Sequence, residues 1–336
     1  MNIPDGVILS ISSYDIKNDE VEFLGQTNPL GFVLFKRNFS TKKQLLNLIK
    51  KLKTLTMNKS ALIFIDQEGG RVQRLNNHEF IKFPPQKIFG ELFLKDKILS
   101  LDLAYKTSFL LGYELKQVGI DVNFSPVCDI YYDYGHSVIG DRSFGNNPNA
   151  VKILSKQYCK GLRESGIIPV IKHFPGHGRS YTDTHNDKSI VSTDYSELKK
   201  TDLVPFSFLK EESLVMLSHI IYSDIDNEVS TYSKKINKIL RLKNKFNGLI
   251  LTDDISMKAL KDKLENIVEK SYDAGCDVVL YCKGNLREMK AFYPFTKKLK
   301  KEYYTFFLND MLKMKTVKHK IDDLKEELMR KELIKI

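Results

Sequence analysis

Eight short apolar segments recur along the chain and alternate with longer stretches of helical periodicity. The apolar segments are GVILSI (6–11), GFVLF (31–35), ALIFID (61–66), GIDVNFS (119–125), IIPVIKH (167–173), LVMLSH (214–219), GLILTD (248–253) and CDVVLY (276–281). Their apolar residues are continuous and do not alternate strictly with polar ones, which is typical of strands buried on both faces of a parallel sheet.

The stretches between these segments have apolar residues three and four positions apart, which predicts amphipathic helices. Residues 41–55, 101–119, 149–166 and 253–275 show the pattern most clearly, and several such stretches begin at a capping residue and end at Gly. Eight strand–helix units predict an α/β fold of the (β/α)8 TIM-type barrel class. A doubly wound open sheet is the alternative, but it usually has a glycine-rich turn after its first strand, and SSYDIKND is not such a turn.

The chain shows no repeat, low-complexity block or Pro/Ser-rich linker that would divide it. We therefore expect one catalytic barrel over residues 1–336, with residues 285–336 forming basic helices that pack on it.

The charge of the chain first suggests an anionic partner. Its 336 residues include 53 Lys or Arg and 42 Asp or Glu, a formal net charge of +11. Of these side chains, 15 basic and eight acidic ones lie between Lys283 and Ile336, where apolar residues recur at helical spacing. Because this segment has no Gly-rich arm, zinc-finger spacing or RNP-type aromatic stretch, solvated lysine faces are favoured over a functional basic surface. We expect no nucleic-acid partner.

The sequence predicts a cytoplasmic protein without a membrane partner. MNIPDGVILSISSYD lacks the basic region of a signal peptide, and no segment approaches the roughly 18 apolar residues that span a bilayer. The cysteines form no CxxC pair, which favours buried free thiols in a reducing compartment; they are Cys128, Cys159, Cys276 and Cys282.

Polar residues follow five of the predicted strands, at the point where each strand ends. They are Asp66, Asn123, Lys172 with His173, Ser218 with His219, and Asp253 with Asp254. The carboxyl ends of barrel strands share one rim, and a strand end needs neither charge nor imidazole for stability. The pattern therefore predicts a polar ligand pocket.

The segment KHFPGHGRSYTDTHND (172–187) holds the densest set of candidate groups. They are Lys172, His173, His177, Asp183 and His185. A metal site is disfavoured because Pro175 and Gly176 prevent helical ligand spacing. A carboxylate two residues from an imidazole can orient it and raise its basicity, so Asp183 and His185 are candidates for a proton-transfer dyad. Structural loop histidines are the other alternative.

The segment NGLILTDDISMKAL (247–260) places two carboxylates at the end of an apolar strand. Strand alternation predicts that only one of Asp253 and Asp254 faces a central pocket, and it does not choose between them. Asp254 or Ser256 is also a candidate cap of the next helix.

Five segments together resemble the signature segments of glycoside hydrolase family 3. They are DQEGGRVQR, VIGDRSFG, KHFPGHG followed by DTH, LSHIIY and FNGLILTDDISM, in order between about residues 60 and 285. The resemblance is greatest to the single-domain bacterial β-N-acetylglucosaminidases of peptidoglycan recycling, whose catalytic domain is a barrel. The chain departs from the family at Thr184, where Ser is commonest, and in SDIDNEVST, which lacks a usual proline.

The resemblance implies a role for individual residues. Asp253 matches the family nucleophile, and His185 matches the acid/base residue with Asp183 as its partner. The substrate-binding positions that it implies are Asp66, Arg74, Arg142, Lys172 and His173. No cofactor and no metal are implied.

The implied activity is hydrolysis of terminal, non-reducing β-linked N-acetylglucosamine from cell-wall fragments, with retention, through a covalent glycosyl-enzyme. Three alternatives stay open. A phosphorylase is one, because a histidine acid/base carries no negative charge that repels phosphate. The others are a β-glucosidase of the same family and a non-catalytic sugar-binding protein.

Overall fold

The structure is a computed structural model that describes residues 2–182 and 188–335. In these residues nine parallel strands form the main sheet. They are β1 Asp5–Leu9, β2 Pro29–Leu34, β3 Leu62–Ile65, β4 Val122–Asn123, β5 Ile168–Pro169, β6 Ile171–Phe174, β7 Leu214–Leu217, β8 Leu249–Asp254 and β9 Val278–Leu280. Each of the eight predicted apolar segments overlaps at least one of them.

The sheet closes on itself through an interrupted fifth strand. The sheet order is β5–β4–β3–β2–β1–β9–β8–β7–β6, so β5 and β6 stand at its two ends, with only Val170 between them in sequence. The Val170 amide donates to the carbonyl of Asn123 over 3.0 Å, and the Lys172 carbonyl accepts from the Cys128 amide over 2.7 Å. The prediction of an eight-stranded TIM-type barrel is therefore confirmed, with the fifth strand split in two.

Helices surround the barrel. Their bounds are α1 Asn18–Gly25, α2 Lys42–Leu55, α3 Lys87–Phe93, α4 Lys97–Gln117, α5 Pro148–Glu164, α6 Tyr195–Leu198, α7 Lys234–Lys238, α8 Leu264–Ala274, α9 Leu286–Phe292, α10 Lys301–Lys313 and α11 Ile321–Arg330. Thr41 caps α2 by accepting from the Gln44 amide, as its side-chain type predicts. No helix in the described ranges is long and apolar enough to cross a membrane.

The helix predicted over 253–275 begins later than expected, at Leu264. The intervening residues form turns, because the Asp254 carboxylate accepts from the amide and the hydroxyl of Ser256 immediately after β8. Asp254 therefore stabilises a turn at the rim and does not cap α8.

The basic C-terminal segment supplies the floor of the barrel. Tyr304 and Phe307 of α10 are buried in the same core as the interior side chains of the strands. The preceding Leu299 amide donates to Pro4 just before β1, which places this contact at the amino-terminal mouth. The exposed Lys301 and Lys313 of α10 thus lie at the end opposite the strand carboxyl ends.

Glu114 on α4 provides a test of pH-dependent stability. Burial raises the pKa of Glu114 to about 7, although the Ile81 amide donates to its carboxylate. An unfolded Glu has a pKa of about 4.3, so this group favours the folded state below that pH and loses the contribution as the pH rises through 7. We expect Glu114→Gln to match the parent at pH 4.5 and to be about 1–3 kcal/mol more stable at pH 8.

Urea unfolding at both pH values measures this difference. Glu91→Gln, at an exposed position on α3 paired with Lys87, is the control and should leave the pH dependence unchanged. A Glu114→Gln effect of equal size at both pH values would contradict the assignment.

Candidate active site

The carboxyl ends of the strands open into a pocket of about 300 Å³. Charged side chains and imidazoles form most of its wall, and the apolar remainder comes from strand ends and rim loops. The lining residues are Phe35, Asp66, Glu68, Arg71, Val72, Arg74, Phe124, Val138, Arg142, Lys172, His173, His177, Met216, Asp253, Asp254, Leu280 and Cys282. All six predicted site residues that the structure describes, namely Asp66, Arg74, Arg142, Lys172, His173 and Asp253, lie in this wall.

Two of the predicted strand-end groups support the wall and are not part of it. The Asn123 side chain accepts from the Gln67 amide over 2.9 Å and donates to the Gln67 carbonyl over 2.7 Å. His219 contacts the Thr231 hydroxyl through Nδ1 and the Asp254 carbonyl through Nε2, over 2.6 and 3.0 Å. Both therefore hold segments that carry pocket residues.

A chain of alternating charges lines one side of the pocket. Asp66 accepts from Arg74 through one carboxylate oxygen and from Lys172 through the other, both over 3.1 Å. Lys172 also contacts Glu68 over 2.5 Å, and Arg142 binds the two Glu68 oxygens with Nε and Nη2 over 2.8 and 2.9 Å. The Lys172 and Glu68 side chains are each 2% exposed, so each group is held in one orientation by its neighbours.

The cations keep both carboxyl groups of this chain ionised. Burial alone would raise the pKa of Glu68, but the charges of Arg142 and Lys172 outweigh it and lower this pKa to about 2. For Asp66, burial is likewise outweighed by Lys172 and Arg74, which hold its pKa well below the usual range. The wall therefore presents fixed anionic acceptors beside cationic donors, an arrangement suited to the hydroxyl and amide groups of a polar neutral ligand.

A buried carboxylate orients His173 within β6 and His177 just after it. Asp129 lies 2.6 Å from His173 Nδ1, and its other oxygen accepts from the His173 and His177 amides over 3.2 and 2.7 Å. Burial would raise the pKa of Asp129, but His173 outweighs it and lowers this pKa. Burial, with a smaller contribution from His173, lowers the pKa of His177 to about 4, so His177 is neutral at physiological pH.

Asp253 and Asp254 both line the pocket, so the expectation that only one of them faces it is wrong. The pairing of β8 with β9 shifts register between Leu251 and Asp254, which interrupts the alternation of side chains. The Asp254 carboxylate accepts from the Ser256 and Cys282 amides over 3.0 and 3.1 Å. Asp253 Oδ1 accepts from the Asp254 amide over 2.8 Å. Asp254 is thus committed to the local turns.

The predicted dyad of Asp183 and His185 lies outside the described residues, and so do two of the groups weighed for a metal. Within residues 2–182 and 188–335, no three His, Cys, Asp or Glu side chains are placed to hold a metal ion.

Several pocket residues were assigned no catalytic or substrate-binding role from the sequence, although His177 and Asp254 were candidates for the pocket. They are Phe35, Glu68, Arg71, His177, Asp254 and Cys282, and Asp129 lies behind the wall. Glu68 belongs to the same DQEGGRVQR segment as Asp66, and Asp129 follows strand four, so each carried a positional signal. Two guanidinium groups lie over the Phe35 ring, with Arg37 4.7 Å and Arg74 5.4 Å from its centre.

Known proteins of one family are similar to this chain both in sequence and in structure. Residues 6–305 match the family described as glycosyl hydrolase family 3 N terminal domain. The chain is 35% identical to a beta-hexosaminidase of Xylella fastidiosa (strain M23) over 83% of this chain and 84% of that one. It is 38% identical to a beta-hexosaminidase of Nitrosomonas eutropha over 78% and 77% of the two chains.

Among solved structures, NagZ from Neisseria gonorrhoeae in complex with N-trifluoroacetyl-D-glucosamine superposes with a TM-score of 0.85 at 30% identity. The superposition covers 97% of this chain and 94% of that one.

Proposed function

The chain belongs to glycosyl hydrolase family 3 and is a β-N-acetylhexosaminidase, and we propose that it removes single terminal, non-reducing β-linked N-acetylglucosamine units with retention of configuration. The observation that carries this proposal is the position of Asp253 in a 300 Å³ pocket that also holds the chain of fixed charges. The pocket suits one sugar residue at the end of a glycan, which favours exo action.

Sugar recognition is assigned to the charged wall. Asp66 accepts hydrogen bonds from sugar hydroxyls, while Arg74 and Lys172 donate to hydroxyl oxygens. Arg142 and His173 complete the set, with Arg142 fixed by Glu68 and His173 Nδ1 taken up by Asp129, which leaves His173 Nε2 for the ligand. Because each of these groups is already hydrogen-bonded to a neighbouring side chain, little side-chain entropy is lost when the sugar binds.

The proposed chemistry has two displacement steps. The Asp253 carboxylate attacks the anomeric carbon while the bond to the leaving oxygen breaks, and a covalent glycosyl-enzyme forms. His185, oriented by Asp183, gives its proton to the leaving oxygen. The same imidazole then takes a proton from water, whose oxygen attacks the anomeric carbon and releases Asp253. Two inversions leave the product with the configuration of the substrate.

Peptidoglycan fragments in the cytoplasm are the proposed natural substrates. N-trifluoroacetyl-D-glucosamine bound to the Neisseria NagZ supports an N-acylated glucosamine in the pocket. All four cysteines are free thiols, as a reducing compartment would keep them.

Turnover of p-nitrophenyl β-glycosides tests the specificity directly. We expect the N-acetylglucosaminide to be cleaved with a kcat/KM at least about 100-fold above those of the glucoside and xyloside, because a site built to bind an amide rejects substrates that lack it. Proton NMR during the first turnovers should show the β-anomer of the sugar before it equilibrates.

Three results would redirect the assignment. A preference for the glucoside would leave only the family, and a first-formed α-anomer would exclude retention. Release of the sugar 1-phosphate in phosphate buffer would identify a phosphorylase.

A further inference from the structure

Three tyrosines form a column of stacked rings at the rim of the barrel. The Tyr132 and Tyr134 ring centres are 5.2 Å apart at an interplanar angle of 28°, and those of Tyr134 and Tyr181 are 5.4 Å apart at 29°. The Arg179 guanidinium lies 4.4 Å from the Tyr132 ring centre and covers the inner end of the column. Tyr134 is 48% and Tyr181 66% exposed, so the outer ring meets solvent.

The column is held in place at its inner end. Arg179 pairs with the buried Asp202 over 2.7 Å and with Glu197 over 2.8 Å. It also donates to the Tyr134 hydroxyl over 3.2 Å, and the Tyr132 hydroxyl donates to Asp202 over 3.1 Å. A platform fixed in this way loses little side-chain entropy when a ligand stacks on it.

The column stands beside the candidate active site. Val138 and His177 line the pocket, and each lies four residues from a column member, Tyr134 and Tyr181 respectively. A chain extends at most about 3.6 Å per residue, so each tyrosine backbone lies within roughly 14 Å of the pocket wall. The His136 amide donates to the Ser180 carbonyl over 2.7 Å and joins the two segments.

We propose that the exposed face of Tyr181, supported by the column behind it, binds the pyranose ring of the leaving group. This inference rests on the proposed function, since the pocket takes the terminal sugar and the next sugar must lie at the rim. The C–H bonds on one face of a pyranose complement the negative face of an aromatic ring. The exposed ring face is too small for a protein partner, because a stable protein interface buries about 1,200 Å² or more.

The test compares two substrates that differ only in the leaving group. With Tyr181→Ala, kcat/KM should fall about five- to tenfold for a β-1,4-linked N-acetylglucosamine disaccharide and stay within twofold for methyl β-N-acetylglucosaminide. Tyr181→Phe keeps the ring and should behave as the parent on both. Phe295→Ala, which removes an exposed aromatic ring near the barrel floor, is the matched control.

A binding measurement separates this inference from the proposed mechanism. In an Asp253→Asn background, Tyr181→Ala should raise the Kd of the disaccharide five- to tenfold and leave that of the methyl glycoside unchanged. An equal change in the Kd of both ligands, or no change in the Kd of the disaccharide, would overturn the proposal that Tyr181 binds the leaving group. An Asp253→Asn enzyme as active as the parent would instead refute the proposed function and leave the binding result in force.

Discussion

Asp253→Ala should abolish nearly all turnover while the fold is retained. If Asp253 is the nucleophile, its removal eliminates the covalent route, and we expect kcat for the N-acetylglucosaminide to fall about ten-thousandfold. The side chain is partly exposed in the pocket wall and is not a member of the apolar core clusters of the described residues. Far-UV circular dichroism and the urea midpoint should therefore match the parent, which separates a catalytic loss from an unfolded enzyme.

Azide provides the complementary measurement. Azide fits the space left by the carboxylate and attacks the anomeric carbon from the face that Asp253 would attack. The expected product is therefore the α-glycosyl azide. Asp273→Ala, which removes an exposed carboxylate of α8 paired with Lys297 over 2.9 Å, should retain full activity. If Asp253→Ala keeps more than about a tenth of the parent kcat, another residue is the nucleophile.

Glu68→Gln should reduce both stability and substrate binding. The Glu68 carboxylate contacts both Lys172 and Arg142. Without it, Asp66 is the remaining anion in the chain of alternating charges, beside two buried cations. Removing one partner from a buried ion pair costs about 3–5 kcal/mol, so we expect a stability loss near 3 kcal/mol because the amide oxygen still accepts one hydrogen bond. A roughly 100-fold lower kcat/KM should accompany it, since Arg142 and Lys172 lose their fixed orientation.

The pH dependence of the same variant gives a further readout. The lowered pKa of Glu68 stabilises the folded state above about pH 4.5, and this contribution is lost as the pH falls toward 2. The cost of Glu68→Gln should therefore be full at pH 7 and shrink at pH 3. Asp15→Asn, which breaks an exposed pair with Lys51, should leave stability unchanged at both. A cost independent of pH would mean that packing, not charge, explains the loss.

The barrel was readable from the sequence because strands buried on both faces are continuous apolar runs. The interruption of the fifth strand at Val170 could not be predicted, since a split strand has the same composition as a continuous one. The late start of α8 was also not predicted. The periodicity over 253–275 does not reveal that the Asp254 carboxylate accepts hydrogen bonds from the Ser256 hydroxyl and the Cys282 amide.

The candidate site was readable only in part. Asp66, Lys172 and Asp253 stand at the carboxyl ends of apolar segments, and charge at such a position marks the rim of a barrel. Glu68 was missed because a sequence shows which groups reach the rim but not which ones pair across it, and its partners lie 74 and 104 positions further along the chain. Asp129 was missed because its function is to orient other residues, and such contacts are formed only by the folded backbone.

The barrel floor has a consequence for how the chain folds during synthesis. Tyr304 and Phe307, which close the amino-terminal mouth, are made after all nine strands, and β1 can pair with β9 only after residue 280 has emerged. A nascent chain with its first eight strands exposed therefore has an unpaired edge and an open apolar interior. Nascent chains arrested before α10 should depend on chaperones, and this dependence should fall once α10 has emerged and can close the barrel.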